Sequence, residues 1–220
     1  MCGIVGILTQ KPQKIAKNIF LANNQMYRRG PDDEGFILVN NKNIDICYGK
    51  DTPLRLFGDK QPYYPIKNIQ STFEDFYTLA FGHRRLSIVD LSSHGHQPMC
   101  DESRRYWIVF NGEVYNFKEI RVELESLGYN FVSKTDTEVI LKSYIQWGEK
   151  SLQKFNGDFA FAIYDNNKEE VFLARDRVGI KPLYYTVQNG HFLFASDIKT
   201  LIASKLYTPE VNLEGVYHNF

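Results

Sequence analysis

The chain begins MCGIVGI, so that a cysteine directly follows the initiator methionine. Removal of Met1, which a small second residue favours, leaves a thiol and a free α-amine together on Cys2. The thiolate is the nucleophilic form of cysteine, and an α-amine with a pKa of about 7.7–8.0 can take the thiol proton near neutral pH. Cys2 could then supply both nucleophile and base. The alternative is that Cys2 only opens a buried strand, because free cysteines are often buried.

A second candidate group lies in the segment FNGEVYN, residues 110–116, at the end of an apolar run. The side-chain amide of Asn111 and the backbone N–H of Gly112 could donate to one point and stabilise a tetrahedral oxyanion. Glycine allows such a close backbone approach. Taken alone, however, the Asn-Gly dipeptide favours a plain turn.

Two adjacent arginines lie in the segment GHRRLSIVD, residues 82–90. A guanidinium can bind an α-carboxylate through two parallel hydrogen bonds. Because neighbouring side chains of an extended segment point to opposite faces, only one of Arg84 and Arg85 would face a given site. The alternative is that both arginines are solvated or form surface ion pairs.

Acidic side chains in the segment KTDTE, residues 134–138, could bind an ammonium group. The simpler interpretation is that Thr135 or Asp136 caps a helix. An arginine for a carboxylate and an acid for an ammonium group together make a receptor for a free α-amino acid.

Histidines offer a competing base for a thiol nucleophile, and the chain has His83, His94, His96, His191 and His218. None lies in a local motif that pairs it with Cys2, so the α-amine is the preferred base. His94, His96 and Cys100 could also bind zinc. A loop with incidental histidines is the better prediction, because helical spacing and a fourth ligand are missing. Residues 174–183 are expected to form a structural turn or a contact surface.

Composition limits the classes of function. The chain has 220 residues, 43% hydrophobic, with 26 basic and 26 acidic side chains. This indicates one globular domain with a short appendage, and no nucleic-acid or membrane partner. No transmembrane helix is predicted, and no signal peptide, since Gln10 and Lys11 interrupt the first apolar stretch. Three distant cysteines argue against a disulfide framework and favour the cytoplasm.

The pattern of apolar residues predicts helices and strands joined mostly by short turns. Helices are expected at about 15–27, 117–127, 136–147 and 197–203, and another is expected to start near 209. Strands are expected at about 3–8, 35–39, 43–48, 79–84, 106–110, 158–164, 171–174, 183–187 and 192–195. Residues 49–76 read as a surface insertion with little regular structure. Short turns favour antiparallel pairing and an α+β layered fold.

Taken together, these segments resemble the class II glutamine amidotransferase domain, an N-terminal-nucleophile hydrolase, in particular the glutaminase half of glutamine-hydrolysing asparagine synthetases. The matching stretches run in family order from residue 1 to about 202: MCGIVGI, RRGPDDEG, GHRRLSIVDLS, HQPM, FNGEVYNF, KTDTEVI, FNGDFAFAIYD, ARDRVGIKPLYY and FASDIKTL. The resemblance implies a four-layer α/β/β/α sandwich of two mainly antiparallel sheets over residues 1–205, with the insertion at 49–76. Residues 206–220 would begin a synthetase domain or a linker.

The resemblance also implies a role for each matching residue. Cys2 resembles the nucleophile, and its α-amine resembles the base. Asn111 and Gly112 resemble the oxyanion hole, and Arg85 the group that holds the α-carboxylate of glutamine. The remaining matches surround the substrate: Glu113 and Asp136 near its amine, Leu86, Ser87, Ile88 and Val89 along the pocket, and the loop Arg29, Gly30, Pro31 and Asp32 near the thiol.

The reaction implied is attack of the thiolate on the amide of L-glutamine, which gives a γ-glutamyl thioester and ammonia. No cofactor or metal is expected in this domain; ATP and magnesium are expected only for a synthetase domain that uses ammonia to amidate a β-aspartyl adenylate. That domain is the expected partner, and a homodimer is a further expectation. No Ser-Gly-Gly-x-Asp-Ser stretch is present in the chain. The long insertion leaves a surface-sugar acceptor open, and a retained Met1 would favour a non-catalytic module that binds glutamine or a partner.

Overall fold

Two sheets lie between two helical layers in the computed structural model, which describes residues 1–57, 61–87, 92–211 and 217. The strands are β1 (Gly3–Gln13), β2 (Asp33–Asn40), β3 (Asn43–Tyr48), β4 (Lys67–Asn68), β5 (Tyr77–Arg85), β6 (Met99–Cys100), β7 (Tyr106–Val114), β8 (Gly157–Asp165), β9 (Glu170–Arg175), β10 (Tyr184–Gln188) and β11 (His191–Ala195). The α-helices are α1 (Ala16–Gln25), α2 (Phe117–Ser126), α3 (Asp136–Trp147) and α4 (Ile198–Ala203). The predicted elements are therefore largely present, with ends that differ by a few residues.

The large sheet has the order β10-β11-β1-β5-β2-β3-β4, and the small sheet has the order β6-β7-β8-β9. All neighbours are antiparallel except β3 and β4. In the large sheet, β1 and β2 flank β5, with Gly3 opposite Arg84 and Asp33 opposite Arg85. In the small sheet, Asn111 of β7 lies opposite Ala160 of β8.

Alternation along β2 shows why the fold has four layers. Phe36 and Leu38 pack with α1 in the outer core, whereas Ile37 and Val39 pack in the core between the sheets. Successive side chains of a strand point to opposite faces, so β2 needs cover on both sides. Helices α1 and α4 cover the large sheet, and α3 contacts the small sheet, with α2 packed beside it. The predicted α+β sandwich is confirmed.

Helix α3 begins where its sequence predicts. The hydroxyl of Thr135 accepts a hydrogen bond from the backbone N–H of Glu138 at 3.4 Å, so Thr135 is the N-cap. The helix ends at Gly148, whose φ of 60° is a conformation that glycine adopts easily. This start places Asp136 at the first helical position.

The described residues of the insertion at 49–76 have little regular structure, as predicted. They form the two-residue strand β4 and two short 3₁₀ helices, Leu54–Phe57 and Ile69–Thr72. Asp51 pairs with the buried Arg84 at 2.7 Å, which ties the insertion to β5. A charge pair between distant segments leaves no periodic signal, so the sequence pattern did not reveal it.

Other differences are smaller. Strand β1 continues to Gln13, and the two-residue strand β6 was missed because it is too short to show alternation. Most of the helix predicted from residue 209 falls on 212–216 and 218–220, which lie outside the described residues. Within the described part of the chain, no helix has the length and apolar character needed to span a membrane.

Candidate active site

A cavity of about 180 Å³ opens where the ends of the two sheets and the start of α3 meet. Seven of the residues singled out from the sequence line it: Cys2, Arg85, Leu86, Asn111, Gly112, Glu113 and Asp136. They come from the start of β1, the end of β5, the second half of β7 and the first turn of α3. Met1 also lines this cavity.

The thiol of Cys2 lies beside the end of β5, because β1 and β5 are paired up to Gly3 and Arg84. The backbone N–H of Leu86 donates to Sγ at 3.4 Å, and Arg29 Nε donates to the carbonyl oxygen of Cys2 at 3.1 Å. Burial raises the pKa of the Cys2 thiol, although the Leu86 N–H and the charge of Arg85 oppose the shift. The thiol therefore needs a base to become a nucleophile.

Asn111 and Gly112 lie inside β7, so the interpretation of this pair as a turn is wrong. Gly112 lies opposite Phe159 of β8, and a Cβ at Gly112 would overlap the carbonyl oxygen of Asp158. The strand pairing thus requires glycine here. Asn111 is 1% exposed, and its Nδ2 has no hydrogen-bond partner within the described residues. A buried unsatisfied donor costs about 1–3 kcal/mol, so an acceptor in the cavity would be favourable there.

The two arginines point to opposite faces of the large sheet, as their position on a strand predicts. Arg85 lines the cavity; its Nη1 donates to the carbonyl oxygen of Ser92 at 3.0 Å, and Gly95 packs against its guanidinium. Arg84 is fully buried on the other face and pairs with Glu34 at 2.9 Å and with Asp51. Only Arg85 can therefore reach a substrate.

Asp136 is buried at the N-terminus of α3, and the backbone N–H of Val114 donates to its Oδ2 at 3.0 Å. Burial raises its pKa to about 6, although this N–H opposes the shift. Glu113 is an exposed residue at the edge of the cavity. Glu138 has a structural role, since it accepts from the backbone N–H of Ser133 at 2.7 Å and pairs with Lys142.

The remaining predicted pocket residues follow β5. Leu86 lines the cavity, whereas the backbone N–H of Ser87 donates to Asp32 at 2.8 Å. Ile88 and Val89 lie outside the described residues. The loop Arg29–Asp32 packs so closely on β5 that a Cβ at Gly30 would overlap the backbone of Arg84.

Comparison with known proteins decides the family. The sequence profile of a family described as a glutamine amidotransferase domain matches residues 69–220. The chain belongs to this family. The amidotransferase domain is 35% identical to "Asparagine synthetase [glutamine-hydrolyzing] 1" of Bacillus subtilis, over 93% of this chain and 27% of that protein. It is 34% identical to "Putative asparagine synthetase [glutamine-hydrolyzing] 2" of Methanocaldococcus jannaschii, over 97% of this chain and 37% of that protein.

The amidotransferase domain thus spans about a third, or less, of the length of these curated relatives. Among solved structures, it resembles the glutamine phosphoribosylpyrophosphate amidotransferase of B. subtilis with a TM-score of 0.71 and 19% identity, covering 96% of this chain and 45% of that one. At this identity the similarity shows the fold alone.

Several residues of the site were not found from the sequence of the amidotransferase domain. Gln97, Phe110, Thr137 and Lys181 also line the cavity. Thr137 directly follows Asp136, a spacing that could have been noticed. Gln97 and Lys181 come from loops far away in sequence, and residues 174–183 were interpreted only as a turn or a contact surface.

The buried histidines of the domain are engaged away from the thiol. His83 Nε2 lies 3.1 Å from the carbonyl oxygen of Phe110, and His96 Nδ1 lies 2.9 Å from Asp33 Oδ2. In the described part of the chain, no histidine lines the cavity. The same residues include no cluster of three or more His, Cys, Asp or Glu arranged to hold a metal ion. The geometry therefore gives no support to a histidine base for Cys2.

His83 is expected to stay neutral throughout the physiological range, because burial lowers its pKa to about 3. The ring signals of His83 in an NMR titration should not change between pH 5 and 8. In the unfolded chain the same ring should titrate near pH 6.5. Since only the unfolded state then takes up this proton, His83 contributes a loss of stability as the pH falls below about 6.5. A titration of the folded protein with a midpoint of 6–7 would contradict this environment.

Proposed function

We propose that the domain hydrolyses L-glutamine to glutamate and ammonia through a γ-glutamyl thioester on Cys2. The observation that carries this proposal is the convergence of a thiol, an arginine, an unsatisfied amide donor and an acid on one cavity of about 180 Å³. The thiol matches the amide carbon of glutamine, and the arginine matches its α-carboxylate. The amide donor matches the amide oxygen, and the acid matches the α-ammonium group.

Substrate binding uses both sheets. Arg85 binds the α-carboxylate from the large sheet, as a guanidinium matches a carboxylate. Asp136 binds the α-ammonium group from the side of the small sheet, with Glu113 nearby at the exposed edge of the cavity. Leu86 is proposed to line the pocket with its backbone groups. Held by the two charged groups on its α-carbon, glutamine presents its side-chain amide to Cys2 between the sheets.

Catalysis begins with the loss of Met1, which frees the α-amine of Cys2. The amine takes the thiol proton, and the thiolate attacks the amide carbon of glutamine, whose π electrons move to the oxygen. Asn111 Nδ2 and the backbone N–H of Gly112 donate to this oxyanion. The oxyanion collapses, the protonated amine gives its proton to the nitrogen, and ammonia leaves. Water then attacks the thioester and releases glutamate and the thiol.

The ammonia is proposed to feed an ATP-dependent synthetase domain that amidates aspartate, as the names of the relatives suggest. ATP and magnesium would act only there. Docking of another domain is supported by the exposure of several apolar side chains in the chain segment around the cavity residue Lys181, namely Val178, Ile180, Tyr184, Tyr185 and Val187. A surface sugar is the alternative acceptor, and assays of the full-length protein with aspartate and with amino-acceptor sugars would separate the two.

A non-catalytic binding module is the second candidate, because Met1, if it is retained, blocks the amine of Cys2 and occupies the edge of the cavity. Intact-mass measurement of the purified protein should show a chain that lacks one methionine. A chain that keeps Met1 yet binds glutamine without hydrolysing it would instead favour the binding module.

Cys2→Ala should abolish the release of glutamate from glutamine, measured by a coupled assay on the processed protein. The control is Cys47→Ala, because Cys47 is a buried cysteine of the outer core. This control should lose some stability but keep its kcat. Full activity of Cys2→Ala would overturn the proposed mechanism.

Glutamine hydrolysis should weaken in acid, because Asp136 binds ammonium only as a carboxylate and its pKa is raised to about 6. Below this pKa, loss of the carboxylate should lower kcat/KM by about tenfold per pH unit beyond the loss caused by protonation of the α-amine of Cys2. Asp136→Asn should remove this additional acidic limb and raise KM at least about 30-fold, since losing one partner of a buried charge pair costs about 2–5 kcal/mol.

The control for the pH profile is Glu149→Gln, a substitution in the 3₁₀ helix Gly148–Gln153 away from the cavity. It should keep the acidic limb of the wild-type protein. An Asp136→Asn variant with the same limb would assign that limb to another group.

A further inference from the structure

The backbone of Phe110, immediately before the proposed oxyanion donors, is held by two side chains. Its N–H donates to Gln97 Oε1 at 2.7 Å, and its carbonyl oxygen lies 3.1 Å from His83 Nε2. Gln97 and His83 are 5% and 1% exposed, so water does not compete strongly for these bonds.

Side chains are needed here because strand pairing stops on this edge of β7. Strand β6 pairs only Met99 with Ile108 and Cys100 with Trp107. Continued by one step, this register would place Pro98 opposite Val109, but proline has no N–H to donate. The next step would place Gln97 opposite Phe110. The side-chain amide of Gln97 therefore takes the place of a backbone acceptor.

The other end of the same amide reaches α3. Gln97 Nε2 donates to Thr137 Oγ1 at 3.2 Å, and Thr137 directly follows Asp136 in the first turn of the helix. The backbone N–H of Phe110 can only donate, which fixes Oε1 on the side of β7 and Nε2 on the side of α3. One buried side chain thus connects the neighbours of Asn111 and of Asp136.

We propose that Gln97 is a positioning residue of glutamine hydrolysis, whose amide sets the placement of the oxyanion donors on β7 relative to the first turn of α3. This inference rests on the proposed function of Cys2, Asn111 and Asp136. Gln97 itself need not touch the reacting atoms; it acts through Phe110 at one end and through Thr137 at the other.

The two ends of the Gln97 side-chain amide should affect different kinetic constants: the bond to Phe110 should affect kcat, and the bond to Thr137 should affect KM. Loss of the Oε1 bond leaves the N–H of Phe110 without its acceptor and frees the strand just before Asn111 and Gly112. Their donors act only when they lie about 2.7–3.1 Å from the oxyanion, so a displacement weakens transition-state stabilisation. Loss of the bond to Thr137 frees the turn that carries Asp136, which binds the substrate already in the ground state.

Gln97→Met keeps the length and volume of the side chain and removes both bonds. We expect kcat to fall about 10–100-fold, less than the 10²–10³ of deleting an oxyanion donor outright. In Thr137→Val, Gln97 keeps its bond to Phe110 and loses its bond to residue 137, so this variant should mainly raise KM. Thr137→Ser keeps the hydroxyl and should restore the wild-type KM. Each kcat is referred to the concentration of alkylatable Cys2, so that a loss of folded protein does not lower its value.

The matched control is Gln188→Met. Gln188 accepts from the N–H of Thr208 at 2.8 Å and donates to its carbonyl oxygen at 3.4 Å, away from the cavity. This variant also removes one bond accepted by Oε1 and one donated by Nε2, and it should keep the wild-type kcat and KM.

Two results distinguish failure of this inference from failure of the proposed function. A wild-type kcat per active site in Gln97→Met, with Cys2→Ala inactive, would overturn the role of Gln97 alone. Activity in Cys2→Ala would overturn the proposed function. If Gln97→Met does not fold, the Thr137 pair decides: equal KM values for Thr137→Val, Thr137→Ser and the wild type would also overturn the role of Gln97.

Discussion

The antiparallel pairing of β1 with β5 is the constraint on which the rest of the site depends. With Gly3 opposite Arg84, the residue before β1 meets the residues that follow β5, which brings the thiol of Cys2 within 3.4 Å of the N–H of Leu86. A shift of the register by one residue would turn every side chain of one strand to the other face. Arg85 would then face the helices of the outer layer, and Arg84 would face the cavity.

The small sheet supplies Asn111 and Gly112, the groups that are proposed to stabilise the negative charge that develops during the reaction. Asn111 keeps an unsatisfied donor in a buried place, and Gly112 is confined by the backbone of β8. Such donors stabilise an oxyanion without reorganising, because the strand pairing has already fixed them. The pairing of β7 with β8 along their full length holds the unsatisfied amide of Asn111 in its buried place. The proposed catalytic groups are therefore divided between the two sheets, and the core between the sheets maintains their spacing.

The sequence predicts the elements whose signals are local. Thr135 and Asp136 predict the start of α3, and the continuous apolar run from Phe36 to Val39 predicts β2. Cys2 can be recognised as a candidate nucleophile because removal of Met1 would leave its thiol and a free α-amine on the same residue. The alternation of strand side chains predicts that only one of Arg84 and Arg85 faces the site, and the resemblance to the amidotransferases selects Arg85. The structure confirms that the two side chains face opposite ways.

The sequence does not reveal features that arise from distant partners. The Asn111-Gly112 dipeptide has a strong local preference for turns, but nine paired residues of β8 hold it in a strand. The role of Gln97 depends on Phe110 and Thr137, which lie 13 and 40 residues away. The insertion at 49–76 is anchored through Asp51 to a charge that is buried on the opposite face from the cavity. None of these contacts has a periodicity or a fixed spacing.

The central claim, that Cys2 is a nucleophile activated by its own amine, is tested most directly by mass spectrometry of the protein during turnover. The protein is mixed with L-glutamine, quenched in acid within one turnover and digested, and the N-terminal peptide is analysed. The account predicts a transient glutamyl group on a peptide that begins at Cys2, which disappears when glutamine is exhausted. A glutamyl group on another residue, or on a peptide that still begins with Met1, would contradict it.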